Sequence, residues 1–332
     1  MRTFRVGITA DVLSSGGEPI FGRDVLKLLD DDPAIEWEYM DGGSETVTPA
    51  QVARYDAICA MITRVTPGSL SGADRRLRLI ARFGVGYDSI DVPACTQAGV
   101  VLTIAPDGVR RPVATSALTF VLMLAQKVLV KDRLTRAGRW NEKLDHIGTG
   151  LTGRTLGSIG IGNIGAELFR LAKPLEMRHL AHDPAADPAV ASELGIRLVD
   201  MDTLFRESDF LSVNCPLNDR TRGLVGERLI RLMKPTAYLI NTARGPIVDE
   251  RALYRALVEQ RIAGAGLDVF EVEPTPADNP ILALDNVIVT PHGICFTDEC
   301  MQRLALSAFR GTLDVAHGRK PPFIVNPEAW KP

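Results

Sequence analysis

Polar residues follow three apolar runs of this chain, and each is of a type that takes part in acid and base chemistry. Arg244 follows the run in LINTARGPIVDE, Glu271 and Glu273 follow the run in GLDVFEVEP, and His292 follows the run in NVIVTPHG. Short apolar, β-branched runs of this kind predict buried parallel strands. Because the carboxyl ends of parallel strands lie at one edge of a sheet, we expect these side chains to lie close together.

Each of these groups has a use in the reduction of a 2-keto acid. The guanidinium of Arg244 can bind a carboxylate through two parallel hydrogen bonds and polarise the neighbouring carbonyl. His292 can donate a proton near neutral pH, and Glu273 hydrogen-bonded to the ring would favour imidazolium and fix its tautomer. Taken singly, the histidine could be structural and the other groups surface charges. Together they favour a hydride-transfer site that needs no metal, and no cluster of metal ligands is apparent.

A glycine-rich segment supplies the other half of such a site. In GSIGIGNIGAELFRLA, the glycines Gly160, Gly162 and Gly165 have the spacing G-x-G-x-x-G, after a predicted strand and at the start of a predicted helix. The pattern alone is weak, but this context is typical of dinucleotide binding. Gly160 would allow the tight turn, Gly162 the close approach of a pyrophosphate, and Gly165 close helix packing. The N–H groups at the start of the helix would bind the phosphates.

Asp183 is the candidate acceptor for the hydroxyls of the adenosine ribose. It lies 21 residues after Gly162, at the end of the next predicted strand. A carboxylate there would accept hydrogen bonds from the ribose and repel a 2′-phosphate, so NAD is favoured over NADP. Asp183 could instead be a turn residue before Pro184. A methyltransferase also uses a glycine loop and an acid, but it has no use for Arg244 and His292.

Strands alternate with helical segments along the chain, which predicts α/β architecture with parallel sheets. A long helix is predicted over 112–130, and another near the end, in TDECMQRLALSAFRGTLDVAHG. Five strands are predicted before the first of these helices, near 4–10, 35–40, 57–62, 77–83 and 100–104. Seven follow it, near 155–161, 178–183, 196–200, 210–215, 237–243, 265–270 and 286–290.

The composition is ordinary for a globular protein and leaves room for two domains. The chain has 332 residues, of which 45% are hydrophobic and 24% charged. The net charge is −3 and no block of like charges occurs, which argues against nucleic acid or an anionic membrane surface as a partner. The apolar part of 112–130 is too short to cross a bilayer. Small molecules and other subunits are therefore the expected partners.

The cysteines and the N-terminal segment favour the cytoplasm. MRTFRVGITADV is typical of a first strand and has no secretory signal pattern. The cysteines are odd in number, scattered and without a CxxC pair, which fits reduced thiols better than disulfides or a zinc site. They are Cys59, Cys95, Cys215, Cys295 and Cys300.

The order of the motifs resembles the D-isomer-specific 2-hydroxyacid dehydrogenase family. The segments that carry the resemblance are ARFGVGYDSIDV, GRTLGSIGIGNIGAELFRLAKPLEM, CPLNDRTRGLVG, MKPTAYLINTARGPIVDE, GAGLDVFEVEP and TPHG, spread over nearly the whole chain. The resemblance implies an NAD-dependent enzyme that interconverts a D-2-hydroxy acid and its 2-keto acid. It also implies a homodimer built on the long helix after Pro112.

The resemblance also implies roles for individual residues. Arg244, Glu273 and His292 match the catalytic residues, and Glu273 is preferred to Glu271 because it lies five residues after Asp268. Arg244 and His292 would also touch the substrate, whose carboxylate the backbone N–H groups of Val85 and Gly86 would bind. Beyond Gly160, Gly162 and Asp183, the implied cofactor contacts are Asn163, Ile164, Cys215, Pro216, Thr221, Thr242, Ala243 and Asp268.

The implied architecture has two doubly wound parallel-sheet domains. A Rossmann NAD-binding domain, residues 105–292 with the dimer helix, is inserted into a flavodoxin-like substrate domain, residues 1–104 and 293–332. Closure of the two domains would expel water from the crevice.

Two departures from the family pattern leave the identity of the substrate open. Thr115 stands where many relatives have glutamate, and 293–296 is GICF where many have a bulky apolar residue and then glycine. Arg64 in MITRVTPG would suit a phosphate or second carboxylate of the substrate, or it is a surface residue. The alternative functions are an NADH-sensing scaffold of the corepressor type and a dehydrogenase of formate or phosphite.

Overall fold

The structure is a computed structural model that describes residues 3–41, 45–72 and 74–331. The chain forms two compact units. Unit 1 comprises Met1–Pro112 with Phe296–Pro332, and unit 2 comprises Val113–Cys295. The predicted functional domains divide the chain at 104/105 and 292/293 instead, and their roles stay predictions. Their outermost residues 1, 2 and 332 lie outside the described residues.

Unit 1 contains a five-stranded sheet in which all paired strands are parallel. The strand order β2-β1-β3-β4-β5 is that of a flavodoxin-like doubly wound sheet. Its strands are β1 Phe4–Ile8, β2 Ile35–Tyr39, β3 Ala57–Ala60, β4 Leu79–Arg82 and β5 Val101–Thr103.

Unit 2 contains a seven-stranded parallel sheet in the order β12-β11-β10-β9-β6-β7-β8. Counted from its first strand, the order is 3-2-1-4-5-6 with a seventh strand outside, which is the Rossmann arrangement. The predicted fold class is thus confirmed, and the described residues form all twelve predicted strands. Those of unit 2 are β6 Thr155–Ile159, β7 Arg178–His182, β8 Ile196–Leu198, β9 Phe210–Val213, β10 Tyr238–Asn241, β11 Gly264–Leu267 and β12 Val287–Val289.

Helices connect the strands of each sheet. Within the described ranges the α-helices are α1 Lys27–Asp30, α2 Pro49–Arg54, α3 Val92–Gln97, α4 Pro106–Gln126, α5 Val128–Arg136, α6 Asn163–Ala172, α7 Pro188–Glu193, α8 Met201–Glu207, α9 Glu227–Ile230, α10 Glu250–Val258 and α11 Asp298–Ala316. Short 3-10 helices lie at Ala10–Val12, Arg23–Leu26, Gly68–Leu70, Trp140–His146, Lys173–Leu175, Gly245–Ile247, Pro280–Ala283 and Pro327–Ala329.

Both faces of the unit 2 sheet are buried. Successive strand residues such as Leu239 and Ile240 belong to different apolar clusters, since side chains alternate between the faces of a strand. Leu239 packs in a cluster with Leu204 of α8, and Ile240 in one with Phe169 of α6. This two-sided burial explains why the strands appear in the sequence as continuous apolar runs rather than alternating ones.

The last helix, α11, belongs to unit 1. Its Phe309 is fully buried and packs edge-on against Phe21 and Phe83, with ring centroids 5.5 and 5.8 Å apart. Thr297 begins the helix as its N-cap and accepts a hydrogen bond from the backbone N–H of Cys300. The helix predicted near the end of the chain is confirmed.

The continuous helix predicted over 112–130 is wrong in two respects. α4 begins earlier, at Pro106, and Pro112 lies inside it. The helix then breaks at Lys127, whose φ of 51° is left-handed. Proline is most common in the first turn of a helix, so the sequence favoured Pro112 as the start. A left-handed lysine has no sequence signal, because such a conformation is stabilised only by its surroundings.

No single helix of the described residues is long and apolar enough to cross a membrane. The consecutive helices α4 and α5 reach that length and composition only when taken together, and the chain bends by 56° between them.

Candidate active site

His292 and Glu273 form a hydrogen-bonded pair in unit 2. The distance between His292 Nδ1 and Glu273 Oε2 is 2.7 Å. His292 follows β12 and Glu273 follows β11, and these strands are neighbours in the sheet. With Nδ1 bound to the carboxylate, Nε2 is the ring nitrogen that remains to face a substrate. The structure therefore brings together two of the three predicted catalytic side chains, and the acid that contacts His292 is Glu273.

The backbone of His292 is held in a left-handed conformation, with φ of 50°. Such a conformation is uncommon for a residue other than glycine and needs support from its surroundings. The main-chain oxygen of Asp268 accepts a hydrogen bond from His292 N at 2.8 Å. Its carboxylate Oδ1 accepts three more, from Thr290 Oγ1 at 2.6 Å, Gly293 N at 2.9 Å and Ile294 N at 3.1 Å. Asp268, predicted as a cofactor contact, thus holds the histidine loop in place.

The Glu273 carboxylate is arranged to stay ionised. Its other oxygen, Oε1, accepts a hydrogen bond from the backbone N–H of Phe270 at 2.9 Å. Burial raises the pKa of Glu273, but the hydrogen bonds from His292 and Phe270 and the positive charges of His292 and Arg244 lower it, so that the pKa lies below its usual range.

Arg244 follows β10, the next strand of the same sheet. Its turn is shaped by the buried Asn241, whose Oδ1 accepts from Ala243 N and whose Nδ2 donates to Arg244 O, both at 3.0 Å. The guanidinium donates through Nη1 to Ala243 O at 2.6 Å. Because the charge of Arg244 acts on the Glu273 carboxyl, the three predicted catalytic residues belong to one electrostatic cluster.

Gly245 brings the arginine turn against the glutamate turn. A Cβ at Gly245 would lie 1.8 Å from the carbonyl oxygen of Phe270 and 2.5 Å from Glu271 N, so only glycine permits this contact. Sequence reasoning did not assign Gly245 a role. The dipeptide Arg244-Gly245 at a strand end was the available signal.

The glycine loop fits a pyrophosphate. Gly160 has φ of 92°, and a Cβ there would lie 3.0 Å from the carbonyl oxygen of Asn214. Gly165 packs against Gly160, since a Cβ would lie 2.3 Å from its carbonyl oxygen. Among the described residues, no atom beyond Gly162 and its chain neighbours lies within 4 Å of the Cβ position of Gly162, so the backbone stays open to a ligand there. The helix α6 begins at Asn163 without a side-chain cap, which leaves its first N–H groups for an anion.

Asp183 lies directly after β7, beside the glycine loop. Its Oδ2 accepts from Ile161 N at 2.9 Å and its Oδ1 from Ala185 N at 2.8 Å. Each oxygen of an ionised carboxylate has a second lone pair, so both can still accept from a ribose hydroxyl. The Asp183 carboxylate is thus hydrogen-bonded to the glycine loop, and both are predicted to bind the same cofactor.

The remaining predicted cofactor contacts differ in whether their polar side-chain atoms already have hydrogen-bond partners within unit 2. Burial raises the pKa of the Cys215 thiol to about 11, so it stays protonated at neutral pH. The Thr221 hydroxyl donates to Pro216 O at 2.6 Å and is therefore engaged within its own loop. Thr242 Oγ1 is buried and, in the described residues, has no hydrogen-bond partner. Asn163 and Ile164 open α6, and Ala243 follows Thr242.

Val85 and Gly86 lie in unit 1, in the loop after β4. Within the part of the chain that the structure describes, neither backbone N–H donates a hydrogen bond, so both are available to a carboxylate. Arg82 holds this loop by donating to Gly86 O at 2.7 Å and to Phe83 O at 2.9 Å. Sequence reasoning did not single out Arg82.

Arg64 is exposed and also lies in unit 1. Its backbone pairs with the chain near Thr46, donating to Glu45 O at 2.8 Å and accepting from Val47 N at 2.9 Å. Its predicted contact with a substrate stays a prediction. In the described residues, no group of three or more His, Cys, Asp or Glu side chains is placed to hold a metal ion.

The sequence matches one family of known proteins. The model of the D-isomer specific 2-hydroxyacid dehydrogenase NAD binding domain matches residues 118–293. The chain is 38% identical over 298 residues to a glyoxylate reductase of Korarchaeum cryptofilum, which covers 89% of this chain and 90% of that relative. The chain belongs to the D-isomer specific 2-hydroxyacid dehydrogenase family.

Two further proteins to which the chain is similar differ in their named activity. A D-3-phosphoglycerate dehydrogenase of Archaeoglobus fulgidus is 38% identical over 284 residues, covering 86% of this chain and 54% of that relative. The crystal structure of a glyoxylate reductase from Paecilomyes thermophila superimposes with a TM-score of 0.83 at 26% identity, covering 98% of this chain and 99% of that one. The family supports a nicotinamide dinucleotide cofactor and a small acid substrate.

The two departures from the 2-hydroxyacid dehydrogenase pattern lie in described parts of the chain. Thr115 is exposed on α4, and its carbonyl accepts from the Thr119 hydroxyl at 2.9 Å. The backbone N–H groups of Gly293 and Ile294 both donate to Asp268 Oδ1. The unusual residues that follow His292 therefore leave this backbone contact in place.

Proposed function

We propose that the protein reduces a 2-keto acid to the D-2-hydroxy acid with NADH, and catalyses the reverse oxidation with NAD. The observation that carries this proposal is the pair of His292 Nδ1 and Glu273 Oε2 at 2.7 Å, beside Arg244 on the same sheet as the glycine loop. A carboxylate-bound imidazole is a proton donor that works near neutral pH. Arg244 supplies the cation that a 2-keto acid requires.

In the proposed reaction each residue has a separate role. The glycine loop and Asp183 would hold the nicotinamide cofactor, which would supply the hydride that the carbonyl carbon accepts. Arg244 binds the substrate carboxylate and polarises the carbonyl bond. Substrate binding by the backbone N–H groups of Val85 and Gly86 stays a prediction. His292 gives its Nε2 proton to the carbonyl oxygen as the carbon–oxygen double bond becomes single. Glu273 stabilises the imidazolium before the transfer and orients the ring.

The first experiment is NADH oxidation, followed at 340 nm, with glyoxylate, pyruvate, hydroxypyruvate and hydroxypyruvate 3-phosphate. Turnover of any of these is expected, and their ranking reports the size and charge of the site. Turnover of formate or phosphite with NAD, together with no activity on the keto acids, contradicts the proposal. NADH binding without any turnover contradicts it as well and favours a sensing role.

We also propose that NAD(H) is preferred to NADP(H), because Asp183 would repel a 2′-phosphate. The change Asp183→Asn removes the charge and keeps the shape of the side chain. The ratio of kcat/KM for NADH to that for NADPH is expected to fall roughly 10- to 100-fold, since a repulsion of a few kcal/mol is lost. Steady-state kinetics with both cofactors measures the ratio.

Asp187→Asn is the matched control for this prediction. Asp187 is exposed, lies four residues further along and can keep its hydrogen bond to Ala189 N as asparagine. Its cofactor ratio is expected to stay near that of the wild type. An unchanged ratio in Asp183→Asn would show that another residue selects the cofactor.

A homodimer and a cytoplasmic location complete the proposal. The segment Trp140–His146 and the residue after it expose three large apolar side chains, Trp140 at 65% and Leu144 and Ile147 at 71% each. Exposed apolar groups clustered in this way are typical of protein interfaces. The cytoplasm is supported by the five cysteines, all described, none of which forms a disulfide.

The dimer proposal predicts the effect of a charge in this segment. Leu144→Lys is expected to raise the dimer dissociation constant by at least roughly 30-fold, since a buried anchor contributes about 2 kcal/mol or more. Sedimentation equilibrium would detect the change from twice the chain mass of 36.1 kDa towards that mass. Leu198→Lys, 41% exposed on β8, is the control that should stay dimeric. A monomeric wild type rules the proposal out.

A further inference from the structure

Glu250 connects the start of α10 to the turn that carries Glu273. Its Oε2 accepts from the backbone N–H of Glu271 at 2.9 Å, and its Oε1 accepts from Asn279 Nδ2 at 2.7 Å. The two contacts lie on either side of Glu273 in the sequence. A single carboxylate therefore holds both ends of the segment 271–279.

Packing alone does not fix this segment. Residues 271–274 and 276–278 are exposed, so few apolar contacts hold them. Apart from the contacts of Glu273 with His292 and Phe270, the other hydrogen bonds described for the segment are local, such as those from Asn279 Nδ2 to Thr275 Oγ1 and from Asn279 N to Pro276 O, both at 3.0 Å. The contacts of Glu250 thus join the segment to a helix of unit 2.

The helix α10 does not need Glu250 for its own start. Asp249 is its N-cap, and Asp249 Oδ1 accepts from Ala252 N at 2.9 Å. Both oxygens of Glu250 are directed to the segment 271–279 instead. Gly245 reaches the same turn from the arginine side through its contact with Phe270. The stretch from Arg244 to Glu250 therefore contains one predicted catalytic residue, Arg244, and contacts the segment that carries another, Glu273.

We propose that Glu250 is a positioning residue for the reaction, which keeps Glu273 within hydrogen-bond distance of His292. This inference rests on the proposed function for its kinetic consequence. The charged groups that act on the Glu273 carboxylate are His292 and Arg244. Glu250 instead accepts its hydrogen bonds from Glu271 N and Asn279 Nδ2. Glu250 therefore acts on the position of Glu273.

The test is the change Glu250→Ala, with Glu259→Ala as control. Glu259 is exposed and lies at the other end of the same helix. Loosening Glu273 by about 1 Å is expected to lower kcat for keto-acid reduction roughly 10- to 100-fold, with a change of KM below roughly threefold. The pH profile should change as well, because the contact between the Glu273 carboxylate and His292 is weaker in this variant.

A second measurement does not depend on turnover. Amide hydrogen exchange of a peptide covering 268–280 is expected to be faster in Glu250→Ala than in the wild type and in Glu259→Ala. NADH binding, followed by fluorescence, should stay unchanged, since the cofactor loop is not altered. Glu250→Gln keeps one acceptor and replaces the other by a donor, so an intermediate kcat is expected. It is also the variant to use if alanine prevents folding.

The outcomes separate this inference from the proposed function. A pH profile and a kcat for Glu250→Ala equal to those of Glu259→Ala overturn the positioning role. So does a lower melting temperature with an unmoved pH profile, because that result indicates a structural role alone. If the wild type turns over no keto acid, the proposed function fails, and the exchange measurement still decides whether Glu250 orders the segment.

Discussion

Replacement of His292 by alanine is expected to lower kcat for keto-acid reduction by roughly 10³-fold, within the 10²- to 10⁴-fold range of general acid catalysis. The physical reason is the loss of the proton donor whose Nδ1 lies 2.7 Å from the Glu273 carboxylate. NADH binding should be retained, because the glycine loop is not part of this pair. Stopped-flow measurement of single-turnover NADH oxidation separates the chemical step from binding.

The pH dependence of the wild type follows from the same pair. Reduction consumes a proton that solution must return to His292, so the rate should fall as the pH rises. Because the pKa of Glu273 is lowered, its carboxylate stays ionised as the pH falls through the usual carboxyl range, and reduction should persist into mild acid. Glu273→Gln is expected to lower kcat, because the charge of the group that contacts His292 Nδ1 is lost. In the oxidation direction the neutral ring is required, so activity should instead rise with pH.

The control for the histidine change is His317→Ala. His317 follows α11 in unit 1, outside the cluster of Arg244, Glu273 and His292. Its kcat and pH profile are expected to match those of the wild type. Turnover within threefold of wild type in His292→Ala would falsify the assignment of His292 as the acid.

Replacement of Arg244 by alanine is expected to lower kcat/KM for the keto acid by roughly 10²- to 10⁴-fold. Removal of one partner from a buried ion pair costs about 3–5 kcal/mol, and each 1.4 kcal/mol is a factor of ten. Most of the loss should appear as a higher KM, since a carboxylate is bound in the ground state as well as in the transition state. Steady-state kinetics with the best substrate of the panel measures kcat and KM separately.

Two further variants limit the interpretation of the arginine result. Arg251→Ala removes an exposed cation from α10 and should leave kcat/KM unchanged. Arg244→Lys keeps the charge but not the planar pair of donors, so a partial loss is expected. Equal activity of Arg244→Ala and Arg251→Ala would mean that another cation binds the substrate carboxylate.

The sequence alone was enough for the elements and for the chemistry of single residues. The strands that carry Arg244, Glu273 and His292 are buried on both faces, so their apolar runs are visible without a structure. The glycine spacing around Gly160 is visible because a positive φ and a close backbone contact exclude side chains. These signals are local: each depends on a few consecutive residues.

The sequence could not supply the contacts between distant segments. Asp268 was predicted only as a cofactor residue, yet its carboxylate holds the loop of His292, because the two segments meet only when β11 and β12 pair. The break of the long helix at Lys127 has no local signal either. Both depend on contacts between distant segments, which form only when the chain folds.

The residue types that can bind a dinucleotide, hold a carboxylate and deliver a proton were thus determined by the sequence by itself, together with the strands that present them. The tertiary structure decided which acid contacts His292, how Gly245 joins the arginine turn to that acid, and that Glu250 holds its segment. The reason is physical: hydrophobic periodicity and backbone sterics act over short stretches of chain. A hydrogen bond between two loops is specified only by the register of the sheet that brings them together.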